Sequence, residues 1–359
     1  MDTNHTILNK SSCHIPEIQD ESIALVVTSP PYPMIEMWDD SFQSQLNMNV
    51  KEEESSPRAI FEQMHKVLDK VWDEMHRVLI PGGIMCINIG DATKTINKQF
   101  SLYSNHSRIL SHCISLGFDN LPNIIWRKQT NSPNKFMGSG MLPVSAYVTL
   151  EHEYILIFRK GTRRVFKNEN EIVKRRESAF FWEERNIWFS DIWNFNGTSQ
   201  SMTNIKSRAR SGAFPFELPY RLINMYSIKG DTVLDPFLGT GTTMLAAMAS
   251  QRNSMGIELN QEYVQFFKSS INELKLRELN KYIKERLDKH IIFVNDYEKQ
   301  KKILKHINKC FGFKVVTSQE CDIIINFLDD VIDMRDSEYN VSYCPTFDSA
   351  FVYTSFQLV

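Results

Sequence analysis

The stretch "GDTVLDPFLGTGTTMLAAMASQRNSMGIEL", residues 230–259, decides how this chain folds. Thr232 to Leu234 read as a strand that runs into Asp235. A loop with Gly239 and Gly241 follows, a helix begins near Thr242, and a second strand ends at Glu258. Glycine lets a backbone turn and approach a ligand without a Cβ clash. Glu258 stands where a carboxylate can accept both hydroxyls of a ribose. The spacing is G-x-G alone, and Pro236 and Phe237 open the loop where a dinucleotide cradle would have more glycine. The unit therefore predicts a site for a nucleoside that carries no phosphate. A lone G-x-G would read as an ordinary strand–helix turn, but the acids at both ends of this unit weigh against that.

Outward from this unit the same alternation continues. "SIALVV" reads as a buried parallel strand. "PRAIFEQMHKVLDKVWDEMHRVLI" carries apolar residues at helical spacing, "PGG" (81–83) is expected to end that helix, and "IMCINIGDA" reads as another strand. Strands alternating with helices imply an α/β fold with a mostly parallel, doubly wound sheet. Four segments are expected: 1–122 as one α/β half, 123–212 as a less regular basic region, 213–268 as the glycine-loop half, and 269–359 as a helical and mixed extension of unknown role. In the extension, "YVQFFKSSINELKLRELNKYIKERLDKH" reads as one long amphipathic helix. "HIIFV", "FKVVT" and "CDIIINFL" read as strand-like pieces.

A second informative stretch is "ALVVTSPPYPMIEMWDD", residues 24–40. Four apolar residues run into Thr28, Ser29, Pro30, Pro31 and Tyr32. Two prolines in succession stop a strand and fix a rigid turn. That turn presents one hydroxyl and one aromatic ring.

Composition narrows the remaining classes. The apolar, charged and aromatic fractions are those of a soluble protein. The six cysteines are scattered without a C-x-x-C pair, which argues against a disulfide framework or a zinc site and suits a reducing cytoplasm. No metal site, signal segment or membrane span is expected. A net charge of −2 hides an asymmetry: residues 123–212 hold 15 Lys and Arg against 8 Asp and Glu. A solvated surface and a phosphate-facing patch both fit such a window.

"DPFLGTGTT" together with "TSPPY" resembles the amino-group DNA methyltransferases, the S-adenosylmethionine-dependent enzymes of restriction–modification systems. The order, "TSPPY" first, basic region next and glycine loop last, resembles the permuted group called class β. "FPFELPYRLI" (214–223), "EMHRVLIPGGIMCINIGDA" and "LEHEYILIFRKG" resemble further family segments, so the resemblance covers roughly residues 5–268. It implies a Rossmann-like methyltransferase fold with circularly permuted motif order and an inserted target-recognition region. It implies that Thr28, Phe214, Pro215, Asp235, Pro236, Phe237, Gly239, Thr240, Gly241, Thr242 and Glu258 surround the cofactor. It also implies that Ser29, Pro30, Pro31 and Tyr32 meet the target base. One departure stands near the N-terminus, where "LNKSSCH" puts Lys10 or Ser11 where the family often has an acid.

The chemistry explains why such a turn is needed. An exocyclic amine is a poor nucleophile because its lone pair is delocalised into the ring. The Ser29 hydroxyl and the Pro30 carbonyl can accept hydrogen bonds from that NH2, and the prolines hold the carbonyl in place. The base must leave the duplex, at a cost of a few kcal/mol, and Tyr32 can stack on it. In the family, Ser at this position goes mostly with cytosine N4 and Asp with adenine N6, so the resemblance implies N4-cytosine. Adenine N6 is the near alternative; RNA or a protein glutamine is the distant one, disfavoured by the large basic insert. The partner implied is double-stranded DNA, with Arg163, Arg164, Arg175, Arg176, Lys206, Arg208 and Arg210 as candidate contacts, and a cognate restriction endonuclease encoded elsewhere. His152, Trp38, Trp72, Trp182, Trp188 and Trp193 read as packing residues.

Overall fold

Strand and helix alternate through most of the chain. The computed structural model describes residues 2–39, 42, 45, 56–96, 98–128, 137–196, 214–300, 303–335 and 337–345. The strands are β1 (Thr3–Leu8), β2 (Ile23–Thr28), β3 (Leu79–Ile89), β4 (Ala92–Ile96), β5 (Gln99–Tyr103), β6 (Phe118–Arg127), β7 (Met137–Gly138) and β8 (Ala146–Tyr147). They continue with β9 (His152–Lys160), β10 (Ile192–Asn194), β11 (Thr232–Asp235), β12 (Asn253–Ile257), β13 (His306–Ile307), β14 (Lys314–Val315), β15 (Asn326–Arg335) and β16 (Glu338–Pro345). The helices are α1 (Pro57–Val78), α2 (Asn105–Ser115), α3 (Glu169–Glu177), α4 (Trp182–Trp188), α5 (Glu217–Tyr226), α6 (Thr242–Ala249), α7 (Gln261–Ser270) and α8 (Glu273–Lys299).

Ten strands form one sheet in the order β10–β6–β9–β3–β2–β11–β12–β1–β16–β15. β9 and β16 run against their neighbours and the other pairs are parallel. The expected mostly parallel, doubly wound α/β sheet is therefore present, and strands from all four expected segments lie in it. β2 is buried at all six positions, as a central parallel strand must be. Alternate residues feed two cores. Leu25 and Val27 pack with Leu218 of α5, Ala246 of α6 and Ile283 of α8, whereas Val26 packs with Leu68 of α1 and Ile109 of α2. β2 leads on to β3 on one side while β11 leads on to β12 on the other. Their junction is thus a topological switch point, where open α/β sheets bind ligands beyond the carboxyl ends of the strands.

Three sequence expectations need correction. "PGG" does not simply close a helix, because α1 ends at Val78 and Pro81–Gly83 lie inside β3 as an irregularity. Ile23 faces Leu79 but Leu25 already faces Ile84. Gly82 has φ +83°, and a Cβ there would stand 2.4 Å from the Arg164 amide nitrogen, so only glycine fits. The expected single helix is two, since Asn272 accepts a bond from the Lys275 amide and starts α8 afresh. "HIIFV" is helical, with Ile283, Leu287, His290 and Val294 buried at helical spacing. That amphipathic period outweighs the β-branched composition.

The C-terminal extension completes the sheet. β16 pairs with β1, Tyr343 donates to the Met248 carbonyl at 2.8 Å, and Arg286 of α8 grips Glu184 of α4 through two nitrogens.

Candidate active site

The two motifs meet at the switch point. Thr28, the last residue of β2, donates its hydroxyl to Asp235 Oδ1 at 2.6 Å, and the Phe237 amide donates to the same oxygen at 3.0 Å. Thr243 of α6 donates to Asp235 Oδ2 at 2.6 Å. One buried carboxylate therefore pins β2, β11, the glycine loop and the first turn of α6. Burial pushes the Asp235 carboxyl up to about 6 against the opposing pull of these three donors. Asp235 touches the cleft, but its hydrogen-bonding capacity is largely spent on the fold.

Beyond these strand ends lies an open cleft of about 930 Å³. Of the expected cofactor residues, Phe214, Asp235, Pro236, Phe237, Gly239, Thr240, Thr242 and Glu258 line it, together with Ser29 and Pro31. Thr28, Pro215 and Gly241 do not. Gly241 serves packing instead: at φ +85° its missing Cβ would fall 2.0 Å from the ring of Phe267 in α7. Glu258 accepts from the Gly239 amide at 2.8 Å and the Asn260 amide at 2.7 Å, which ties the second acid to the loop. Thr240 Oγ1 is buried on the cleft wall with no hydrogen-bond partner among the described residues. Ser11, Ser12, Trp38, Gln45 and Tyr263 also line the cleft. Trp38 is thus more than the packing residue expected from sequence. Lys10 turns away to pair with Glu17, which leaves Ser11 at the place where an acid was sought.

The Ser-Pro-Pro-Tyr turn is wired to strands outside the two motifs. Ser29 donates to Tyr32 Oη at 3.2 Å, and Tyr32 donates to Glu153 Oε2 at 2.9 Å. Asn88 Nδ2 donates to both Tyr32 Oη, at 2.9 Å, and Glu153 Oε2, at 2.7 Å. Lys128 Nζ donates to Glu153 Oε1. Burial and the Glu153 charge hold the Tyr32 hydroxyl well above the ordinary phenol range, so it remains a donor. Asn88 sits near the end of β3 and Glu153 at the start of β9, one step beyond Ile89↔Tyr154. Two signals could have revealed them: a lone Asn in the apolar run "IMCINI", and an acid beside His152 in an apolar strand. His152 itself packs edge-on against Tyr154, as expected of a structural residue.

The arginines expected to contact DNA are divided. Arg164 bonds Asp231 at 2.7 Å and stands over the Phe166 ring; Arg175 covers that same ring. With Arg176 they line a groove that includes Ala24, Gly82 and Asp231, at the amino-terminal ends of β2, β3 and β11. That is the edge of the sheet opposite Ser29, roughly 17 Å away along β2. Arg163 is exposed on the same connection. These four are not brought to the cleft, because the chain after β9 emerges at that opposite edge. Lys206, Arg208 and Arg210 lie outside the described residues. The edge bearing Ser29 instead carries Arg127 and Lys128, at the end of β6. Of the tryptophans, Trp72, Trp188 and Trp193 are buried, and Trp182 is partly exposed against Phe293.

Among the described residues no group of acids, histidines and cysteines could hold a metal ion. Among them, too, no helix is long and apolar enough to cross a membrane.

A sheet of this order, with its cleft at the switch point and a Ser-Pro-Pro-Tyr turn on the rim, defines an amino-methyltransferase, and the chain belongs to that family. Residues 23–269 match the family model described as DNA methylase, which embraces N6 and N4 methyltransferases. Among curated relatives, the type II methyltransferase M.MthZI of Methanothermobacter thermautotrophicus is 51% identical over 96% of this chain and 96% of its own. M.MjaI of Methanocaldococcus jannaschii, also a type II methyltransferase, is 52% identical over 72% of this chain and 88% of its own. Among solved structures, a Thermus thermophilus protein described as a DNA modification methylase, in complex with S-adenosyl-L-methionine, is 31% identical. It covers 77% of this chain and 95% of its own, with a TM-score of 0.56. The cofactor is S-adenosylmethionine, and the cleft fits it. Glu258 and the unpartnered Thr240 hydroxyl offer polar partners, while Phe214, Phe237 and Trp38 offer apolar walls.

Proposed function

We propose that this chain is a type II, site-specific methyltransferase that modifies the exocyclic N4 amine of cytosine in double-stranded DNA, with a cognate restriction endonuclease encoded elsewhere. The observation that carries the reading is Ser29, a neutral hydroxyl on the rim of the cleft with its own proton committed to Tyr32. S-adenosylmethionine, when bound, supplies an activated methyl group on a sulfonium. The chain supplies the rest. Pro30 and Pro31 hold the turn rigid, so the oxygen that meets the amine is placed before the base arrives. Ser29 Oγ accepts an N–H from the amine and favours a more tetrahedral nitrogen. The Tyr32 ring takes the face of the extruded base, a stack worth about 1–3 kcal/mol.

The duplex is met at the carboxyl edge of the sheet, where Arg127 and Lys128 stand beside the Glu153 cluster. Lys206, Arg208 and Arg210 are retained as candidate phosphate contacts for the basic character of their sequence. Arg163, Arg164, Arg175 and Arg176 face away from that edge and are not expected to touch the target site. Incubating the protein with duplex DNA and methyl-labelled cofactor, then digesting to nucleosides for mass analysis, tests the reading. N4-methylcytosine is the expected product, and N6-methyladenine alone would refute it.

A further inference from the structure

Resting on that reading, we propose that Glu153 is a positioning residue for the methyl-transfer step. Acting through Tyr32, it fixes Ser29 as a pure hydrogen-bond acceptor toward the target amine.

The argument is a matter of counting protons. A carboxylate accepts hydrogen bonds and donates none. The side chain of Glu153 is only 13% exposed, and its partners are the Tyr32 hydroxyl, the Asn88 amide and the Lys128 ammonium, donors all. Tyr32 has one proton, and at 2.9 Å it goes to Glu153. Toward Ser29 the Tyr32 oxygen can then only accept. Ser29 has one proton as well, and at 3.2 Å it goes to Tyr32. Both remaining lone pairs of Ser29 Oγ are left for the amine. An unanchored serine could turn its hydrogen toward the amine nitrogen, which would tie up the very lone pair that must attack.

Asn88 strengthens the anchor. It is 2% exposed and its two donations close a triangle with Tyr32 and Glu153, so the tyrosine hydroxyl cannot swing away. Gly90 sets the ring: a Cβ there would lie 3.0 Å from Tyr32 Cε2, so the ring rests on bare backbone. Lys128 caps the other carboxylate oxygen on the solvent side. Ring and hydroxyl of Tyr32 thereby take separate tasks, the ring for the base and the hydroxyl for Ser29.

Glu153→Ala, Tyr32→Phe and the two combined test this in the full chain, with Glu153→Gln as a fourth variant. Single-turnover methyl transfer to duplex DNA is measured alongside cofactor affinity by calorimetry. Glu153→Ala and Tyr32→Phe should each slow transfer about 10²-fold, the usual cost of losing one placed group. Cofactor affinity should stay within about 3-fold. The double variant should be no slower than Tyr32→Phe, because without the hydroxyl Glu153 has nothing to act through. Glu153→Gln, which keeps one acceptor oxygen, should recover about 10-fold of the loss. A full-rate Glu153→Ala, losses that multiply in the double variant, or a Gln variant as slow as Ala each overturns the inference. Should Glu153→Ala fail to fold, Tyr32→Phe decides alone, and its full activity overturns the inference. Wild-type protein that transfers no methyl to DNA refutes the underlying functional reading instead.

Discussion

The Thr28 hydroxyl and the Asp235 carboxylate, 207 residues apart in sequence, meet at 2.6 Å on adjacent parallel strands. This contact joins the Ser-Pro-Pro-Tyr turn to the glycine loop. Because Thr243 and the Phe237 amide share the same carboxylate, Asp235 organises the site more than it binds ligand. Asp235→Ala would strand two buried hydroxyl donors, each costing about 1–3 kcal/mol, and the half-buried Phe237 amide. The expected outcome is a thermal midpoint lowered by many degrees and cofactor affinity lost together with it. A variant with wild-type melting behaviour and weak cofactor binding would instead make Asp235 a direct ligand.

The two loop glycines should behave differently. Gly241→Ala drives a Cβ to 2.0 Å from the Phe267 ring at φ +85°, so the variant is expected to lose at least about 2 kcal/mol in urea unfolding. A Cβ on Gly239 meets only the Phe237 carbonyl, at 3.9 Å. Gly239→Ala should therefore keep the fold at a cost near ~1 kcal/mol.

Legibility in the sequence followed the range of the interactions. The glycine loop and the Ser-Pro-Pro-Tyr turn are local, and their backbone demands are written in Gly and Pro at fixed spacing. The alternation of strands and helices around them already announced a doubly wound sheet. Glu153 stands out in sequence only as an acid beside His152; its link to Tyr32 was not legible, because strand alternation says which residues share a face, not which strand lies beside it. The position of Arg164, Arg175 and Arg176 at the amino-terminal edge was not legible for the same reason: a charge count cannot tell one edge of a sheet from the other. "HIIFV" has a strand-like composition, but the apolar period running through Ile283 and Leu287 makes it helical.

Stability should fall in mild acid. His5 is fully buried between Thr3 and Ser254, and burial lowers its imidazole to about 3; His65, buried against Asn105, is lowered to about 4. Both must stay neutral in the native state, whereas the unfolded chain protonates them near ~6.5. Their contribution is complete above about pH 6.5 and is lost as the pH falls toward 4 and then 3. The expected slope is about 1.4 kcal/mol per pH unit for each group. Chemical unfolding at about pH 7 and about pH 5 should differ by about 2 kcal/mol per histidine, and His5→Gln should remove one share of the difference.

The extension after Lys268 should be indispensable to the fold. Arg286 of α8 makes a buried two-nitrogen contact with Glu184 and also bonds the Tyr220 hydroxyl at 3.1 Å. Arg286→Met leaves Glu184 buried and unpaired, a loss of about 3–5 kcal/mol. The measurement is the urea midpoint, and an unchanged midpoint would place the extension outside the cooperative unit.

Ser29 carries the central claim, and one comparison tests it most directly. Single-turnover methyl transfer to duplex DNA is measured for wild-type protein and for Ser29→Ala, with cofactor affinity determined in parallel. Transfer is expected to slow by about 10²–10³-fold while cofactor affinity stays within about 3-fold, as befits a group that meets only the amine. A Ser29→Ala protein that methylates DNA at the wild-type rate would contradict the mechanism.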